Sequence, residues 1–371
     1  MEGALAQNWL TIPEIVRAAR EQLPKHLWDY SCGGAETETT LRRNRSAFDY
    51  LALRPRILTG VGTRDTSTTF LGFPLALPVM LAPIGGIERF NPIGAIGPAH
   101  VAERCGSISF VSTVAAPAME EVRASTNGPI VFQIYVEGDR AWFGDFVRRI
   151  EQAGFSAICL TVDNAVYGRR ERDLHNRYVG RSTGARPNLS GVYAGSASAD
   201  LNRAALNWED LEWLRGYTKL PLILKGVACA EDATHAVDLG VDCVYISNHG
   251  GRQLDHAQAG IEILPEIVQA VGDRVPVLVD GGFMRGTDVV KGLALGATAV
   301  LIGKLETWGL SAGGEAGLER VVELLTTELR VTMGNIGADS LADIGPSTIC
   351  PSVPPPPDVW PVGSAQLTPY L

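Results

Sequence analysis

Eight short apolar runs recur along the chain from residue 77 onward, and they constrain the fold more than any other feature. The runs cover residues 77–83, 107–112, 130–135, 157–163, 221–226, 242–247, 275–280 and 298–303. Because they lack the strict alternation of a half-exposed strand, they indicate strands buried on both faces, as in a parallel sheet covered by helices. Amphipathic segments that end near a glycine, such as residues 146–155, separate most of the runs and fit helices with glycine caps. Eight such units predict an α/β protein with a (β/α)8 barrel.

A doubly wound parallel sheet is the alternative fold, and it is weakened because no G-x-G-x-x-G motif follows the first run. We expect a single domain over residues 1–371, with an N-terminal helical cap (1–76), the barrel (77–345) and a proline-rich tail (346–371). The stretch 180–206 is rich in glycine, serine and alanine and lies between the fourth and fifth strands. Its length predicts an active-site loop that acts as a lid.

Charge and composition exclude several classes of function. The chain carries a net charge of −9 and contains no run of lysine and arginine, so we expect no nucleic-acid partner. No apolar run is long enough to span a bilayer, so we expect no membrane partner. Six cysteines are scattered without a C-x-x-C motif. This pattern favours reduced cysteines in a cytoplasmic protein over a disulfide framework or a metal site.

Polar and glycine residues follow nearly every predicted strand. In a (β/α)8 barrel the active site lies at the carboxyl ends of the strands, so these residues are expected to meet there. Taken in strand order they are Pro83, Ile84 and Gly85, then Ser112, Gln133 and Tyr135, Thr161 and Asp163, Lys225, Ser247 and His249, Asp280, Gly281 and Gly282, and finally Gly303 and Lys304. Taken singly, Asp163 could cap a helix and His249 could be a structural histidine. Agreement across so many strand ends favours a site.

The residue types at these strand ends define a reaction. Arg170 and Arg252 provide fork-shaped donors that suit a carboxylate. His249 is a suitable base, and Asp163 would stabilise its protonated form. The glycines after the last two strands fit a phosphate, and Lys225 would stabilise an electron-rich ring. Together these groups indicate an organic cofactor with a phosphate tail and the oxidation of a hydroxy acid.

Several of these segments resemble a known family. The motifs are WDYSCGGAE (28–36), FQIYV (132–136), LTVDNAVYGRRERDLHNRY (160–178), SNHGGRQLD (247–255), DGGFMRGTDVVKGLALGA (280–297) and LIGK (301–304). They resemble the FMN-dependent α-hydroxy-acid oxidases and dehydrogenases, which include glycolate oxidase, lactate oxidase and mandelate dehydrogenase. The resemblance extends from about residue 13 to residue 344.

The resemblance implies FMN as cofactor and a role for each site residue. His249 would be the catalytic base paired with Asp163, and Lys225 would lie near flavin N1 and O2. The substrate carboxylate would be bound by Tyr30, Tyr135, Arg170 and Arg252. The residues implied to bind the cofactor are Pro83, Ile84, Gly85, Ser112, Gln133, Thr161, Lys225, Ser247, Asp280, Gly281, Gly282, Arg285, Gly303 and Lys304. It also implies a small 2-hydroxy acid as substrate, O2 or another electron acceptor, and a homotetramer.

The chain departs from the family pattern at a few positions. Val114 replaces a bulky aromatic residue and would enlarge the substrate pocket. Met284 and Lys304 each replace an arginine of the phosphate site, which predicts a weaker grip on FMN. These departures keep two alternatives open beside the (S)-2-hydroxy-acid oxidase or dehydrogenase. One is an FMN enzyme that modifies a larger natural product or peptide, and the other is a non-catalytic flavin-binding scaffold.

Overall fold

Eight parallel strands close into a barrel, as the apolar runs predict. The structure is a computed structural model that describes residues 9–178, 186–189 and 197–354. Within these residues the strands are β1 (Leu51–Leu53), β2 (Thr68–Phe70), β3 (Phe73–Leu75), β4 (Val79–Leu81), β5 (Ser109–Ser112), β6 (Ile130–Ile134), β7 (Ala157–Thr161), β8 (Leu222–Val227), β9 (Cys243–Ile246), β10 (Val277–Val279), β11 (Ala299–Ile302) and β12 (Ile349–Pro351). Strands β4 to β11 pair in chain order, and β11 pairs with β4 to close the barrel.

Helices connect the barrel strands and cover their outer face. The α-helices are α1 (Ile12–Gln22), α2 (Lys25–Cys32), α3 (Thr39–Ser46), α4 (Ile96–Cys105), α5 (Met119–Ala124), α6 (Arg140–Ala153), α7 (Glu171–His175), α8 (Ala197–Ala205), α9 (Trp208–Tyr217), α10 (Ala230–Asp238), α11 (Gly260–Val271), α12 (Gly286–Ala294) and α13 (Lys304–Ile336). Short 3-10 helices cover Ala47–Tyr50, Ile87–Arg89, Pro187–Leu189, Gly272–Arg274, Leu341–Asp343 and Pro346–Thr348. Helix α13 is broken at Gly313 and Gly314, whose backbone is not helical. The structure thus confirms the (β/α)8 barrel.

Two separate apolar clusters follow from the period of two along each strand. In β8, Leu222 and Leu224 pack outward against the helices, whereas Ile223 belongs to the cluster that fills the barrel interior. In β9, Val244 packs outward, whereas Tyr245 lies in the interior cluster. Continuing this alternation to the carboxyl end of each strand gives the interior positions Ala82, Ser112, Gln133, Thr161, Lys225, Ser247, Asp280 and Gly303. The predicted site residues therefore form the top layer of a barrel that is apolar below.

Individual strand ends differ from the expected runs by a few residues. Lys225 lies inside β8 rather than at its end, because the strand continues past a bulge between Lys225 and Val227. Strand β6 ends at Ile134, so Tyr135 follows the strand. A charged group need not be the last residue of its strand, because an interior position in the uppermost layer of the barrel already faces the mouth.

The N-terminal helices pack against the barrel. Helix α1 packs on α13 through buried Ile12, Ile15, Val16 and Ala19. Helix α3 lies across the mouth, where the backbone oxygen of Asn44 would be 1.9 Å from a Cβ atom placed on Gly282. This approach allows only glycine at that position, which explains one of the two glycines after β10.

The segment expected to be an irregular loop, 180–206, is partly helical. Residues 197–205 form α8, so the expectation of a loop is wrong for this part. Arg203 of α8 forms an ion pair with the buried carboxylate of Glu137, which follows β6. Residues 179–185 and 190–196 lie outside the described residues, as do 355–371 of the expected tail. Within the described parts of the chain, no helix combines the length and apolar character needed to cross a bilayer.

Candidate active site

A cavity of about 520 Å³ opens at the carboxyl ends of the barrel strands. This volume lies within the range of about 300–1,000 Å³ typical of ligand sites. Most of the predicted site residues line it: Tyr30, Pro83, Ile84, Gly85, Tyr135, Arg170, Lys225, His249, Arg252, Asp280, Gly281, Gly282, Gly303 and Lys304. Behind this lining are buried Ser112, Gln133, Thr161 and Ser247, together with Asp163. The strand ends thus bring together the residues that the sequence predicted to meet.

His249 and Asp163 form a short pair at the centre of the cavity. His249 Nδ1 lies 2.5 Å from Asp163 Oδ2, and Tyr135 Oη lies 3.1 Å from His249 Nε2. A proton on Nδ1 directed at the carboxylate leaves the lone pair of neutral Nε2 facing the cavity. Burial lowers the pKa of His249 more than the Asp163 charge raises it, so the imidazole stays neutral near pH 7. Burial raises the pKa of Tyr135, so its hydroxyl remains a donor.

The turn after β9 brings His249 and Arg252 to the same cavity. His249, Gly250 and Gly251 all have positive φ, at 54°, 64° and 78°. Such a backbone is strained for a histidine, and strain of this kind concentrates at functional sites. A Cβ atom on Gly251 would lie 2.5 Å from the backbone nitrogen of Leu41 in α3. The two glycines therefore let the chain turn tightly under α3 between the base and the arginine.

Two arginines and a tyrosine form a cationic end of the cavity, which we call the carboxylate end (Arg170, Arg252 and Tyr30). Arg252 Nη1 donates to the carbonyl oxygens of Tyr30, at 2.5 Å, and Gly33, at 2.9 Å. Among the residues that the structure describes, neither Arg170 nor Arg252 is within 4.0 Å of a carboxylate oxygen. Burial, together with the neighbouring charge of Arg170, lowers the pKa of Arg252. An anion bound at this end would stabilise the charged form of Arg252 and so offset both contributions to its lowered pKa.

The top layer of the barrel is a chain of hydrogen bonds. Lys225 Nζ donates to Ser247 Oγ at 2.8 Å, and Ser247 Oγ donates to Asp280 Oδ2 at 2.9 Å. Tyr245, which is fully buried, donates to the same Asp280 oxygen at 2.8 Å. Gln133 Nε2 donates to Thr161 Oγ1 at 2.8 Å. These bonds fix the lysine and the amide in place, because each has a partner in the neighbouring strand.

The other end of the cavity, which we call the glycine end, is formed by Gly281, Gly282, Gly303 and Lys304, whose Nζ extends from this end to Gly250. Gly281 and Gly282 have φ of 98° and 86°, and Gly303 precedes the first turn of α13. Backbone N–H groups at such a helix start attract anions. Burial lowers the pKa of Lys304 to about 7, and the charge of Arg252 acts in the same direction. This end therefore combines backbone groups and one easily deprotonated lysine with Arg45, which contacts Gly282.

Sequence comparisons identify the family of the chain. The profile of a family described as FMN-dependent dehydrogenase matches residues 19–351 of the chain. The chain belongs to this family. A peroxisomal (S)-2-hydroxyacid oxidase, GLO4, from Arabidopsis thaliana is 44% identical over 345 residues, which covers 90% of this chain and 94% of the relative. Glycolate oxidase 3 from the same plant is 41% identical over 344 residues, with coverage of 90% and 94%.

Solved structures of similar proteins share the fold of this FMN-dependent dehydrogenase. Mandelate oxidase with (S)-2-phenylpropionate superposes with a TM-score of 0.85 at 37% identity, covering 93% of this chain and 99% of that chain. A soluble mutant of the membrane-associated (S)-mandelate dehydrogenase from Pseudomonas putida superposes with a TM-score of 0.88 at 35% identity, covering 93% and 100%.

The cavity of this dehydrogenase suits FMN, which the family uses as cofactor. Two buried oxygens, Gln133 Oε1 and Asp280 Oδ1, have no hydrogen-bond partner among the described residues and could accept from polar groups of a ligand. Gly281 and Gly282 line the cavity with positive φ, a backbone conformation that can present N–H groups to a phosphate. Lys225 and Lys304 supply positive charge at separate points of the cavity. The donor set therefore matches an anionic cofactor with a polar ring.

The structure places one predicted cofactor residue away from the cavity. The guanidinium of Arg285 pairs with Glu328, with Nη2 2.7 Å from Oε1, and Arg285 does not line the cavity. Met284 lines the cavity in its stead and packs on the apolar core. The spacing in the sequence does not distinguish these two positions, because both follow the glycine pair.

Sequence reasoning also missed several lining residues. Arg89 follows β4, Tyr167 follows β7, and Arg42 and Arg45 project from α3. Arg45 donates to the carbonyl oxygen of Gly282 at 2.7 Å. Arg89 carried a usable signal, because a charged residue soon after the first strand fits the rule that identified the others. The α3 arginines carried none, since their position depends on how the N-terminal helices fold over the barrel.

Proposed function

We propose that the protein uses FMN to oxidise an (S)-2-hydroxy acid to the corresponding 2-oxo acid. One observation carries this proposal: a neutral, carboxylate-paired histidine lies in the same cavity as two arginines without carboxylate partners in the described residues. The names of the relatives support the substrate class, since they include (S)-2-hydroxy-acid oxidases and a mandelate dehydrogenase.

In this proposal the carboxylate end holds the acid group of the substrate. Arg170 and Arg252 each present two N–H groups in a fork that matches a carboxylate. The hydroxyl of Tyr30 adds a donor. Burial raises the pKa of Tyr30, but the charges of Arg170, Arg252 and Arg89 outweigh this effect and hold the pKa below its usual value. The buried position of Arg252 makes its interaction with an anion strong, because little water competes for it.

His249 accepts the proton that the substrate releases. Its Nε2 faces the cavity beside the Tyr135 hydroxyl, 3.1 Å away, so a substrate hydroxyl next to this pair could contact both groups. The Asp163 carboxylate stabilises the imidazolium that forms, and burial and the charges of His249 and Lys225 together leave the pKa of Asp163 lowered. Asp163 therefore stays ionised throughout, and it also fixes the ring orientation through Nδ1.

When bound, FMN supplies the acceptor for the two electrons that leave the substrate at C2. The protein's part is to place Lys225 and the partners of the ring. Lys225 is held by Ser247 and lies over the Tyr245 ring, with Nζ 5.2 Å from its centroid. A fixed ammonium group at this point would stabilise negative charge on a ring above it. Ser112, Gln133 and Thr161 would bond its polar edge, beside Pro83, Ile84 and Gly85. The residues of the glycine end would hold the phosphate.

A larger substrate remains a second candidate for the same reaction. Gly85 packs closely on Val114, since a Cβ atom on Gly85 would lie 2.7 Å from Val114 Cγ2. Both residues line the cavity, and Val114 is smaller than the aromatic residue of the family pattern, which supports a wider pocket for the substrate side chain. A non-catalytic scaffold has no comparable support, because the pairing of His249 with Asp163 is intact.

The proposal extends to the setting of the enzyme. The scattered cysteines support a cytoplasmic location, although two similar relatives are named as peroxisomal, so the location would be decided by cell fractionation. Family resemblance supports a homotetramer formed by a single domain, which sedimentation would test. Either O2 or another acceptor would reoxidise the enzyme. Comparing the rate of reoxidation by O2 with the rate by a dye or quinone would identify the acceptor.

The proposed function is tested with purified protein saturated with FMN. We expect a panel of (S)-2-hydroxy acids to yield the matching 2-oxo acids when an artificial dye serves as electron acceptor. The (R) enantiomers serve as controls of equal acidity and size. Formation of no 2-oxo acid from any member of the panel, by protein that retains FMN, would refute the proposal.

A further inference from the structure

Arg89 brings a third guanidinium group to the cavity, outside the set already assigned to the substrate carboxylate. It ends the 3-10 helix Ile87–Arg89, shortly after Gly85 and Gly86. Its side chain folds back over Gly86, because a Cβ atom at that glycine would lie 2.8 Å from Arg89 Cζ. Both Arg89 and Gly86 line the cavity. The glycine therefore provides the space in which the guanidinium reaches the ligand site.

Three arginines surround one tyrosine ring at this end. The Cζ atoms of Arg89, Arg170 and Arg252 lie 5.8, 5.8 and 4.7 Å from the centroid of the Tyr30 ring. Arg89 Nη1 also donates to the Tyr178 hydroxyl at 3.4 Å, which orients the guanidinium. The three guanidinium groups around this ring all line the cavity.

One carboxylate does not use all of this charge. It has two oxygens, and two guanidinium forks together with the hydroxyl of Tyr30 already saturate them. Arg89 enters from a different element, the segment after β4, whereas Arg170 and Arg252 follow β7 and β9. It shares one wall of the cavity with Gly85, Gly86 and Val114. A second anionic group on a substrate side chain would meet Arg89.

We propose that Arg89 binds a distal acidic group of the substrate, so that the enzyme favours 2-hydroxy dicarboxylic acids over 2-hydroxy monocarboxylic acids. This inference rests on the proposed function, because it names the substrate class for the same site. A short diacid is the natural size, since Arg89 and Arg252 flank the same ring. The residue sets specificity and takes no part in proton transfer.

The test compares substrates of equal length. (S)-Malate and (S)-2-hydroxyglutarate are assayed beside (S)-2-hydroxybutanoate and (S)-2-hydroxypentanoate with the FMN-saturated enzyme. We expect kcat/KM to be at least about tenfold higher for each diacid, as one charged hydrogen-bonding contact supplies. In Arg89→Met we expect the diacid values to fall by about tenfold or more while the monoacid values change less than about threefold. Arg89→Lys should recover part of the diacid preference.

Two further measurements separate the possible outcomes. Arg330→Met, an exposed change on α13, is the matched control and should leave all four values unchanged. The dissociation constant of an unreactive diacid, succinate, measured by the change in flavin absorbance, should rise in Arg89→Met but not in the control. Equal losses for diacids and monoacids in Arg89→Met would overturn the inference, because they would mean that Arg89 only holds Tyr30 in position. A wild-type enzyme that prefers monoacids would also overturn it and leave the proposed function standing. No reduction by any hydroxy acid would instead refute the proposed function.

Discussion

The two ends of the cavity bind anions by different means. The carboxylate end presents the guanidinium groups of Arg170 and Arg252, which keep their charge at any physiological pH. The glycine end presents backbone N–H groups and Lys304, whose pKa is lowered to about 7. The arginine forks can therefore form directed hydrogen bonds to the two oxygens of a carboxylate. The glycine end instead offers backbone donors and a lysine whose charge depends on pH.

This contrast indicates that the two ends tolerate substitutions to different degrees. At the carboxylate end, the loss of one arginine leaves the bound carboxylate with one guanidinium fork fewer in a buried site, so changes are costly. At the glycine end, Met284 lines the cavity and the guanidinium of Arg285 is engaged with Glu328. We therefore expect variants of the first end to affect substrate reduction and variants of the second to affect the retention of FMN.

The largest effect is expected between the two ends, at the base. His249→Gln keeps a polar side chain of similar size but removes the group that accepts the proton. The rate of flavin reduction by substrate should fall by about a thousandfold, as for other general bases. FMN content should remain at the wild-type level. The matched control is His256→Gln, an exposed histidine seven residues further along, and a similar fall in that variant would contradict the assignment.

The next effect is expected at the carboxylate end. Arg252→Met removes one of two forks from a buried site, and kcat/KM for a simple hydroxy acid should fall by about a hundredfold or more. FMN binding should change little, because Arg252 belongs to the carboxylate end and not to the glycine end. Arg252→Lys restores the charge without the fork and should recover only part of the loss. If Arg252→Met instead releases FMN and leaves substrate binding intact, the two ends have been assigned the wrong way round.

A smaller effect is expected at the glycine end. Lys304→Met should raise the dissociation constant of FMN by about tenfold, because one partly buried charge–phosphate contact is lost. The reduction rate of the fully loaded variant should stay close to that of the wild type. Lys304→Arg should tighten FMN binding, and Lys219→Met, at an exposed position, serves as the control. Fluorescence titration of apoprotein with FMN measures all three constants.

The pH dependence of FMN binding sharpens the same distinction. FMN binding stabilises protonated Lys304, so its pKa in the complex lies above the value of about 7 in the free protein. Affinity should therefore fall as pH rises above about 7, by at most about tenfold for each pH unit. Affinity independent of pH between 7 and 9, or an unchanged decline in Lys304→Met, would exclude Lys304 as the titrating group.

The smallest effect is expected in the layer beneath the cavity. Tyr245→Phe removes one of two donors to Asp280 Oδ2 and leaves Ser247 in place. The free energy of unfolding should fall by about 1 kcal/mol. Thermal unfolding of the FMN-bound protein measures this change, with Tyr50→Phe at the surface as the control. A gain in stability would mean that the hydroxyl does not satisfy the carboxylate.

The sequence predicted most of the fold because the relevant signal is local. The apolar runs carry strand identity within a few residues, and the period of two then assigns interior positions such as Gln133 and Ser247. His249 and Arg252 were predictable from the turn that contains them. Arg89 is equally close to a strand, but its role could not be predicted because it depends on contact with Tyr30, which lies on α2. Contacts between distant segments are set by the packing of α1 to α3, and no local pattern encodes them.

Two expectations failed for the same physical reason. Residues 197–205 are helical although their composition suggested a loop, since docking of Arg203 on buried Glu137 stabilises a helix of nine residues that is too short to be stable alone. Arg285 pairs with Glu328 on α13, a residue 43 positions away. Tertiary partners decided both outcomes, and neither partner is marked in the sequence near the residue concerned.

Flavin reduction by a hydroxy acid is tested most directly by anaerobic rapid mixing of the FMN-loaded wild-type enzyme with an (S)-2-hydroxy acid. We predict that the visible absorbance of the bound flavin bleaches in one turnover, and that a C2-deuterated substrate slows the bleaching. Flavin that stays oxidised with every hydroxy acid offered, or that bleaches at a rate unaffected by deuterium, would contradict it.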